Sequence, residues 1–450
     1  MKEADRYFLD RYVSVALENN RIDPELFERF NVKRGLRNAD GTGVLVGLTE
    51  IGDVHGYIID EGETVPVQGR LRYRGIDVEE IVAGFQSEGR PGFEETCYLL
   101  LFGELPSAGA LSELTDFLGR RRRLPENFTE DMILKAPSPN IMNKLARSVL
   151  AYYSYDPNPE DYGMANILLQ CLNLIALLPT MTAYSYQAKR HYIDKHSLVI
   201  HAPKPDLSTA GNFLYMIRQD SVYSALEAEL LDLCLVLHAE HGGGNNSAFT
   251  VHVVSSSSTD TYSAIAAAIG SLKGDRHGGA NIKVMDMMDD IKQNVKDWTS
   301  EREVGDYLAK ILNKQAFDKA GLVYGMGHAV YTLSDPRAIL LKEKAIALAA
   351  EKKMSDEMNL YLLIERLAPR VFEEVKKSQK VIAPNVDFFS GFVYKMLNIP
   401  RELFTPLFAI SRIAGWSAHR IEEIFIGNRI IRPAYKCVVE GVPYLPLRNR

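Results

Sequence analysis

The chain has 450 residues, a formal net charge of −6, 46% hydrophobic and 24% charged residues. Single cores stop growing at roughly 250–300 residues, so two domains are expected, of ordinary globular composition. The acidic balance argues against general polyanion binding, so no nucleic-acid partner is expected.

No uninterrupted apolar run approaches the roughly 18 residues that span a membrane, so no membrane association is expected. The N-terminal MKEADRYFLDRY carries both signs of charge and no apolar signal core, which points to a cytoplasmic address. The four cysteines, Cys97, Cys171, Cys234 and Cys437, lie far apart without metal or redox spacing. They read as reduced thiols in the core.

Residues 1–44 are polar and mildly helical, ending in the turn-rich NADGTG. VHGYIIDEGETVPVQGRLRYRGID then alternates apolar and polar residues between turn signals, the one convincing strand region. Almost everything after it has helical periodicity. GFEETCYLLLFGELPS contains a helix ending near Gly103, with Pro106 starting the next segment. The run Arg120–Arg123 reads as a solvated helix end. HAPKPDLSTAG is a loop by its prolines and small polar residues. The expected fold is all-α, many packed helices with a small β patch near the N-terminus.

Residues 221–241 form an amphipathic helix with Leu226, Leu230, Cys234 and Leu237 as its stripe. His238 and His241 close it, three apart, with Glu240 between them. The zinc-protease helix instead spaces its histidines by four with Glu directly after the first, so a metal reading is disfavoured. A cap or anion-site role is expected.

Downstream, an alanine-rich helix, TYSAIAAAIG, leads into SLKGDRHGGAN, with Gly274 as a stop. Ile282, Met285, Met288 and Ile291 share one face of the helix that follows. His277 therefore lies in a glycine-flanked turn beside a helix N-terminus, which disfavours imidazolium. A neutral imidazole there can donate to a carbonyl oxygen gaining negative charge.

In YGMGHAVYTLSDPR, Gly325 and Gly327 shape a loop whose backbone can approach a ligand, and His328 follows. Asp335 reads as an N-cap, Pro336 as the first helical residue and Arg337 as the second. Arginine there opposes the macrodipole, which makes sense if it holds an anion.

Asp387 in PNVDFFSG is either an N-cap or a partly desolvated base, and the two pull its pKa in opposite directions. Arg412 lies on an apolar helical face with no carboxylate at i±3 or i±4. Its partner must come from elsewhere in the fold or be a ligand. Histidines, one aspartate in an apolar setting and several arginines suit chemistry on a polycarboxylate. Arginines clamp carboxylates, histidines polarise a ketone and a carboxylate removes a carbon-bound proton.

LHAEHGGGNNSAFT, SLKGDRHGGAN, YGMGHAVYTLSDPR, PNVDFFSG and FAISR, in this order, resemble the citrate synthase family, as do RLRYRGID and FEETCYLLLFGELP upstream. The resemblance covers roughly residues 45–435. It implies a nearly all-helical homodimeric acyltransferase that condenses oxaloacetate with acetyl-CoA and hydrolyses citryl-CoA. It needs no permanently bound cofactor and no metal, with acetyl-CoA as co-substrate. It also implies a large domain of residues 1–277 and 395–450, and a small domain, 278–394, closing over the site.

By this resemblance His277 stabilises the enol(ate), His328 polarises the ketone and Asp387 abstracts the methyl proton. His241, Arg337 and Arg412 bind oxaloacetate, and Arg432 reaches the site from the other subunit. The loop Val323–Gly327, through Val323, Gly325 and Gly327, holds the adenine of CoA. One departure is Thr332, where the family often has an arginine contacting a CoA phosphate. Arg276 is a candidate substitute. A 2-methylcitrate synthase using propionyl-CoA is the near alternative, because one methylene discriminates by only about 1–3 kcal/mol. A metal-dependent hydrolase and a non-catalytic helical scaffold are the remote ones.

Overall fold

A computed structural model describes residues 21–449 except 39, 61–62, 329, 379–380, 428, 440 and 442, together with 6, 13, 15, 17 and 18. Two compact units emerge, residues 1–48 and 49–450. In the first, α1 (Pro24–Arg29) starts at a proline, and its N-cap Asp23 accepts from the Glu25 amide. A single antiparallel bridge joins Arg37 to Gly43 around the NADGTG turn.

The second unit opens on the expected β patch. Strands β1 (Gly52–Asp60), β2 (Glu63–Tyr73) and β3 (Ile76–Asp77) form one antiparallel sheet in the order β1-β2-β3. Helices follow in sequence: α2 (Val78–Ser87), α3 (Phe93–Phe102), α4 (Ala108–Arg120), α5 (Ile141–Tyr152), α6 (Met164–Tyr192) and α7 (Thr209–Ile217). Then come α8 (Ala225–His238), α9 (Asn246–Ser255), α10 (Thr261–Lys273), α11 (Ala280–Asn294), α12 (Glu301–Leu312), α13 (Pro336–Glu351), α14 (Ser355–Lys376), α15 (Val386–Met396) and α16 (Phe404–Ile426).

Local rules explain many boundaries. α3 ends at Gly103, whose φ of 82° is the left-handed conformation glycine adopts without strain. α8 starts at a capping box, Ser224 with Glu227. α10 ends at Gly274 as expected.

The centre of the unit is α16, buried nearly throughout, against which α3, α6, α8, α9 and α10 pack. Gly415 allows this: a Cβ there would overlap Glu240 and the Ala239 carbonyl. The Ser411 hydroxyl donates to the Leu235 carbonyl, and Arg412 Nε to the His238 carbonyl at 2.7 Å. The end of α8 is thereby pinned to α16. A second group, α11 to α15, makes most of its contacts within itself, through the pairs α12–α14, α13–α15 and α11–α15.

Three expectations need correction. Helix α6 is long and apolar enough to cross a membrane by length and composition, but its apolar window is mostly buried inside the fold, as a core helix's is. Arg122 is not solvated: it is buried, donates to the Lys204 and Leu207 carbonyls and lies 3.6 Å from Glu94. Its neighbour Arg121 stacks over Phe117. Cys97, Cys171 and Cys234 are free buried thiols, but Cys437 is exposed.

Candidate active site

The stretches singled out in the sequence converge where the end of α8, the turn before α11, the loop before α13 and the starts of α13 and α15 meet α16. His241 lies three residues beyond α8, and its ring centroid is 5.2 Å from that of His328. Both rings contact Tyr331, at 5.6 Å from His241 and 4.8 Å, stacked, from His328. The Arg337 guanidinium sits 5.7 Å from the same tyrosine ring.

The loop carrying His328 leans on the sheet. Ser334 Oγ accepts from the Gly69 amide and donates to Gln68 Oε1, and the Tyr331 hydroxyl donates to the Arg70 carbonyl. His328 Nδ1 accepts from the amides of Val330 and Tyr331, both at 3.1 Å. Two N–H donors on one nitrogen require it to be unprotonated, so the ring's proton is on Nε2. Burial, then Arg337, depresses the His328 pKa to about 4, so the ring is neutral at physiological pH.

Asp335 caps α13 as expected, accepting from the Arg337 amide. It also takes the Arg337 side chain in a two-point pair, Nε to Oδ1 at 3.0 Å and Nη2 to Oδ2 at 2.8 Å. Its Oδ2 further accepts from the Val386 amide, the first residue of α15. One carboxylate therefore gathers two helix starts. Burial disfavours the Arg337 charge, and the neighbouring Asp335 more than offsets it, raising its pKa. The anion beside Arg337 is thus supplied locally.

Asp387 does not cap α15. Asn385 does, accepting from the Asp387 amide at 3.0 Å. Asn385 Nδ2 also donates to the Gly327 carbonyl, and the Asn385 amide to the Gly325 carbonyl, which ties the Val323–Gly327 loop to α15. Gly325 has φ 78° and packs on Phe388, where a Cβ would come within 2.9 Å. Of the two pulls on Asp387, desolvation wins. Burial raises its pKa to about 6, with Arg337 and Arg412 opposing and Asp335 assisting.

His277 sits in the turn before α11, with Nε2 3.1 Å from Ser247 Oγ. Trp416 Nε1 donates to the same hydroxyl at 3.1 Å. When the hydroxyl proton points to His277 Nε2, the imidazole proton is on Nδ1, free for a substrate oxygen. The His277 pKa falls to about 4, through burial first and Arg412 second, rather than through the helix dipole alone.

Arg412 is buried. Its Nη1 has no hydrogen-bond partner among the described residues, and neither has His241 Nε2. Burial pushes the pKa of His241 well below the usual histidine value, with Arg337 adding to it. His238 is fully buried and stacked on Phe408 at 3.8 Å. Arg432 is not among the gathered side chains: it is exposed, in the extended segment beyond α16. Thr332 is half-buried and Arg276 exposed.

Sequence reasoning did not single out Ser247, Tyr331, Asp335 as an arginine partner, or Trp416. Ser247 and Tyr331 stand in the quoted motifs, but only the fold joins them to the two histidines.

Residues 39–434 match the family profile "Citrate synthase, C-terminal domain". The chain is 35% identical over 384 residues to a citrate synthase of Synechocystis, covering 85% of this chain and 88% of that protein. It is 32% identical over 418 residues to 2-methylcitrate synthase 1 of Corynebacterium glutamicum, covering 91% and 96%. A solved citrate synthase of Thermoplasma acidophilum, in ternary complex with carboxymethyl coenzyme A and oxaloacetate, superposes with a TM-score of 0.74. It is 25% identical, over 93% of this chain and 99% of that one. With its helical fold and the profile match across most of its length, the chain belongs to the citrate synthase family, a class of acyltransferases.

Proposed function

We propose that the chain condenses oxaloacetate with acetyl-CoA through an enol or enolate, then hydrolyses citryl-CoA to citrate and CoA. One observation carries this reading. His241 Nε2 and Arg412 Nη1 are buried polar atoms without hydrogen-bond partners among the described residues, in the same cluster as a neutral His328 and a carboxyl with a raised pKa. Such atoms are costly to leave unpaired unless a ligand oxygen meets them.

In this reading Arg412, Arg337 and His241 hold the carboxylates and keto-acid backbone of oxaloacetate. His328 Nε2–H donates a hydrogen bond to the ketone oxygen. Asp387 takes a proton from the acetyl methyl group, while His277 Nδ1–H donates to the thioester oxygen. The enol carbon then attacks the ketone carbon, and its oxygen, gaining charge, stays bonded to His328. Neutral imidazoles suit both donor roles, because a cationic histidine would compete for the oxaloacetate carboxylates. Water then cleaves the thioester. The Val323–Gly327 backbone receives the adenine of acetyl-CoA, and Arg276 is the candidate for a phosphate in place of Thr332.

The working unit in this reading is a homodimer, with Arg432 of the partner subunit completing each site. The segment that bears Arg432 supports this, since Ile426, Ile430, Tyr435 and Val439 around it are exposed apolar residues. Residues 278–394, which include α11 to α15, act as a small domain that closes on the rest. Ser390 and Gly391 lie inside α15 and are poor hinges, so the better crossing is the stretch after it, where Asn398 has φ 54°.

The test is thiol release from acetyl-CoA in the presence of oxaloacetate, compared with propionyl-CoA. Oxaloacetate-dependent release that is faster with acetyl-CoA is the expected result. Preference for propionyl-CoA would make the chain a 2-methylcitrate synthase, and no release with either would overturn the proposal.

A further inference from the structure

Outside this site, three potential metal ligands converge between α9 and α16. His252 Nε2 is 3.1 Å from His419 Nδ1, and Glu422 Oε2 is 3.8 Å from the same Nδ1. All three atoms lie within 4.8 Å of one another. Ligand atoms about 2.0–2.2 Å from a tetrahedral ion stand roughly 3.3 Å apart, so small side-chain adjustments bring this set to a common centre.

The outer contacts are those of ligating histidines. His252 offers its remote nitrogen, Nδ1, to Glu423 Oε2 at 2.7 Å, and His419 offers Nε2 to Glu240 Oε1 at 3.0 Å. A carboxylate on the far nitrogen turns the near nitrogen's lone pair inward, which is the usual support of a metal-bound imidazole. Glu422 is oriented too, since its Oε1 accepts from the Glu50 amide at 2.9 Å.

A direct bond from His419 to His252 would satisfy the two rings. It would leave Glu422 Oε2 with an ion-pair distance of 3.8 Å to His419 but no hydrogen-bond partner among the described residues, although this oxygen is buried. Glu422 is 9% exposed, His252 9% and His419 0%. A carboxylate oxygen without a hydrogen bond, beside two imidazole nitrogens in so buried a place, is an arrangement a metal cation would complete.

We propose that His252, His419 and Glu422 form a site for a first-row divalent cation of the zinc class, separate from the active site. Two imidazoles and one carboxylate suit such an ion. Gly243, whose missing side chain leaves the near flank of both rings open, gives a water room as the fourth ligand.

The ion would tie α9 to α16. Through the Glu240–His419 bond it would also stiffen the turn carrying His241. The site therefore braces the substrate-binding turn and takes no part in the reaction. It stands on its own geometry and is independent of which acyl-CoA the chain uses.

The test uses the full-length chain, treated with chelator and dialysed, then titrated with Zn²⁺ by calorimetry and with Co²⁺ by visible absorption. One ion per chain is expected, with the intense visible bands of tetrahedral Co²⁺ and a higher thermal midpoint in Zn²⁺. His252→Gln keeps a hydrogen bond for Glu423 but loses the ligand, and Glu422→Gln loses the anionic oxygen. Each should weaken binding at least ~100-fold, the upper end of what even outer-shell changes produce. Cys437→Ser, which removes the exposed thiol, should bind as the wild type does. Absence of stoichiometric binding, the weak bands of octahedral Co²⁺, or undiminished binding in His252→Gln would each overturn the proposal. The Co²⁺ spectrum of the unsubstituted chain decides the matter even if a variant fails to fold.

Discussion

Asp387→Asn separates a catalytic role from a structural one because the two make opposite stability predictions. The carboxyl's pKa is raised from 3.8 to about 6 in the folded chain. Between those values the folded state binds more protons than the unfolded one. Stability therefore falls as pH rises from about 4 to about 6, then stays lower. Two pKa units correspond to about 3 kcal/mol. The residue is only half-buried, so half of that, about 1.5 kcal/mol, is the working figure for the penalty at pH 7.

Asparagine has the same shape and no charge to desolvate. With about 2.1 cal/mol/K of unfolding entropy per residue over 450 residues, the variant's thermal midpoint at pH 7 should rise by ~1.5 °C. Near pH 4 the rise should vanish. Turnover should meanwhile fall ~10²–10⁴-fold, the usual worth of a positioned base. Oxaloacetate affinity should change little, because the lost interaction belongs to the methyl proton. Scanning calorimetry at the two pH values and steady-state kinetics read both effects. Near-normal turnover would remove Asp387 from the chemistry. A lower thermal midpoint together with lost turnover would make it a structural carboxylate.

Other outcomes follow from the same geometry. With His277 and His328 held near 4 and Asp387 near 6, the acid limb of kcat/KM should follow one ionisation at about pH 6, activity falling as pH drops through it. A limb below pH 5 would exclude Asp387 as its source. Arg412→Leu should weaken oxaloacetate binding at least ~100-fold while folding survives, since leucine suits the apolar face and the freed His238 carbonyl lies at a helix end. Wild-type oxaloacetate affinity would refute this. Mixing Arg432→Ala with Asp387→Asn chains should restore part of the activity, because one of the two sites in a heterodimer carries neither defect. No recovery, with subunit exchange verified, would argue against a shared site. Oxaloacetate should tighten binding of a non-reactive acetyl-CoA analogue, and the analogue should tighten oxaloacetate by the same factor. Equal calorimetric affinities with and without oxaloacetate would refute closure.

What could be read from the sequence was what local chemistry decides. Asp335-Pro336-Arg337 announced a helix start, Gly274 a helix end and the alternation in VHGYIIDEGETVPVQGRLRYRGID a strand region. Each was found where expected because caps, turns and period-two patterns are settled by neighbours a few residues away. Arg122 was misread for the converse reason. Four consecutive arginines look solvated, yet the fold brings the Lys204 and Leu207 carbonyls to one of them. Cys437 was misread because its segment follows the last long helix rather than packing into the core.

The site shows the same division more sharply. Residue types and motif order were legible, but protonation was not. Asp387 could have been a cap with a lowered pKa, and the choice turned on Asn385 taking the cap position while Phe388 and Phe389 helped bury the start of the helix. His328 could have carried its proton on either nitrogen until two backbone amides of its own loop were seen to occupy Nδ1. Arg337 seemed to need a ligand, and Asp335, two residues away, meets its charge in the resting chain. The consequence is electrostatic. One arginine is already compensated, while the other, Arg412, keeps a buried N–H with no hydrogen-bond partner among the described residues. The buried Arg412 N–H is thus left for an incoming anion, while the histidines stay neutral and donate hydrogen bonds without adding charge of their own.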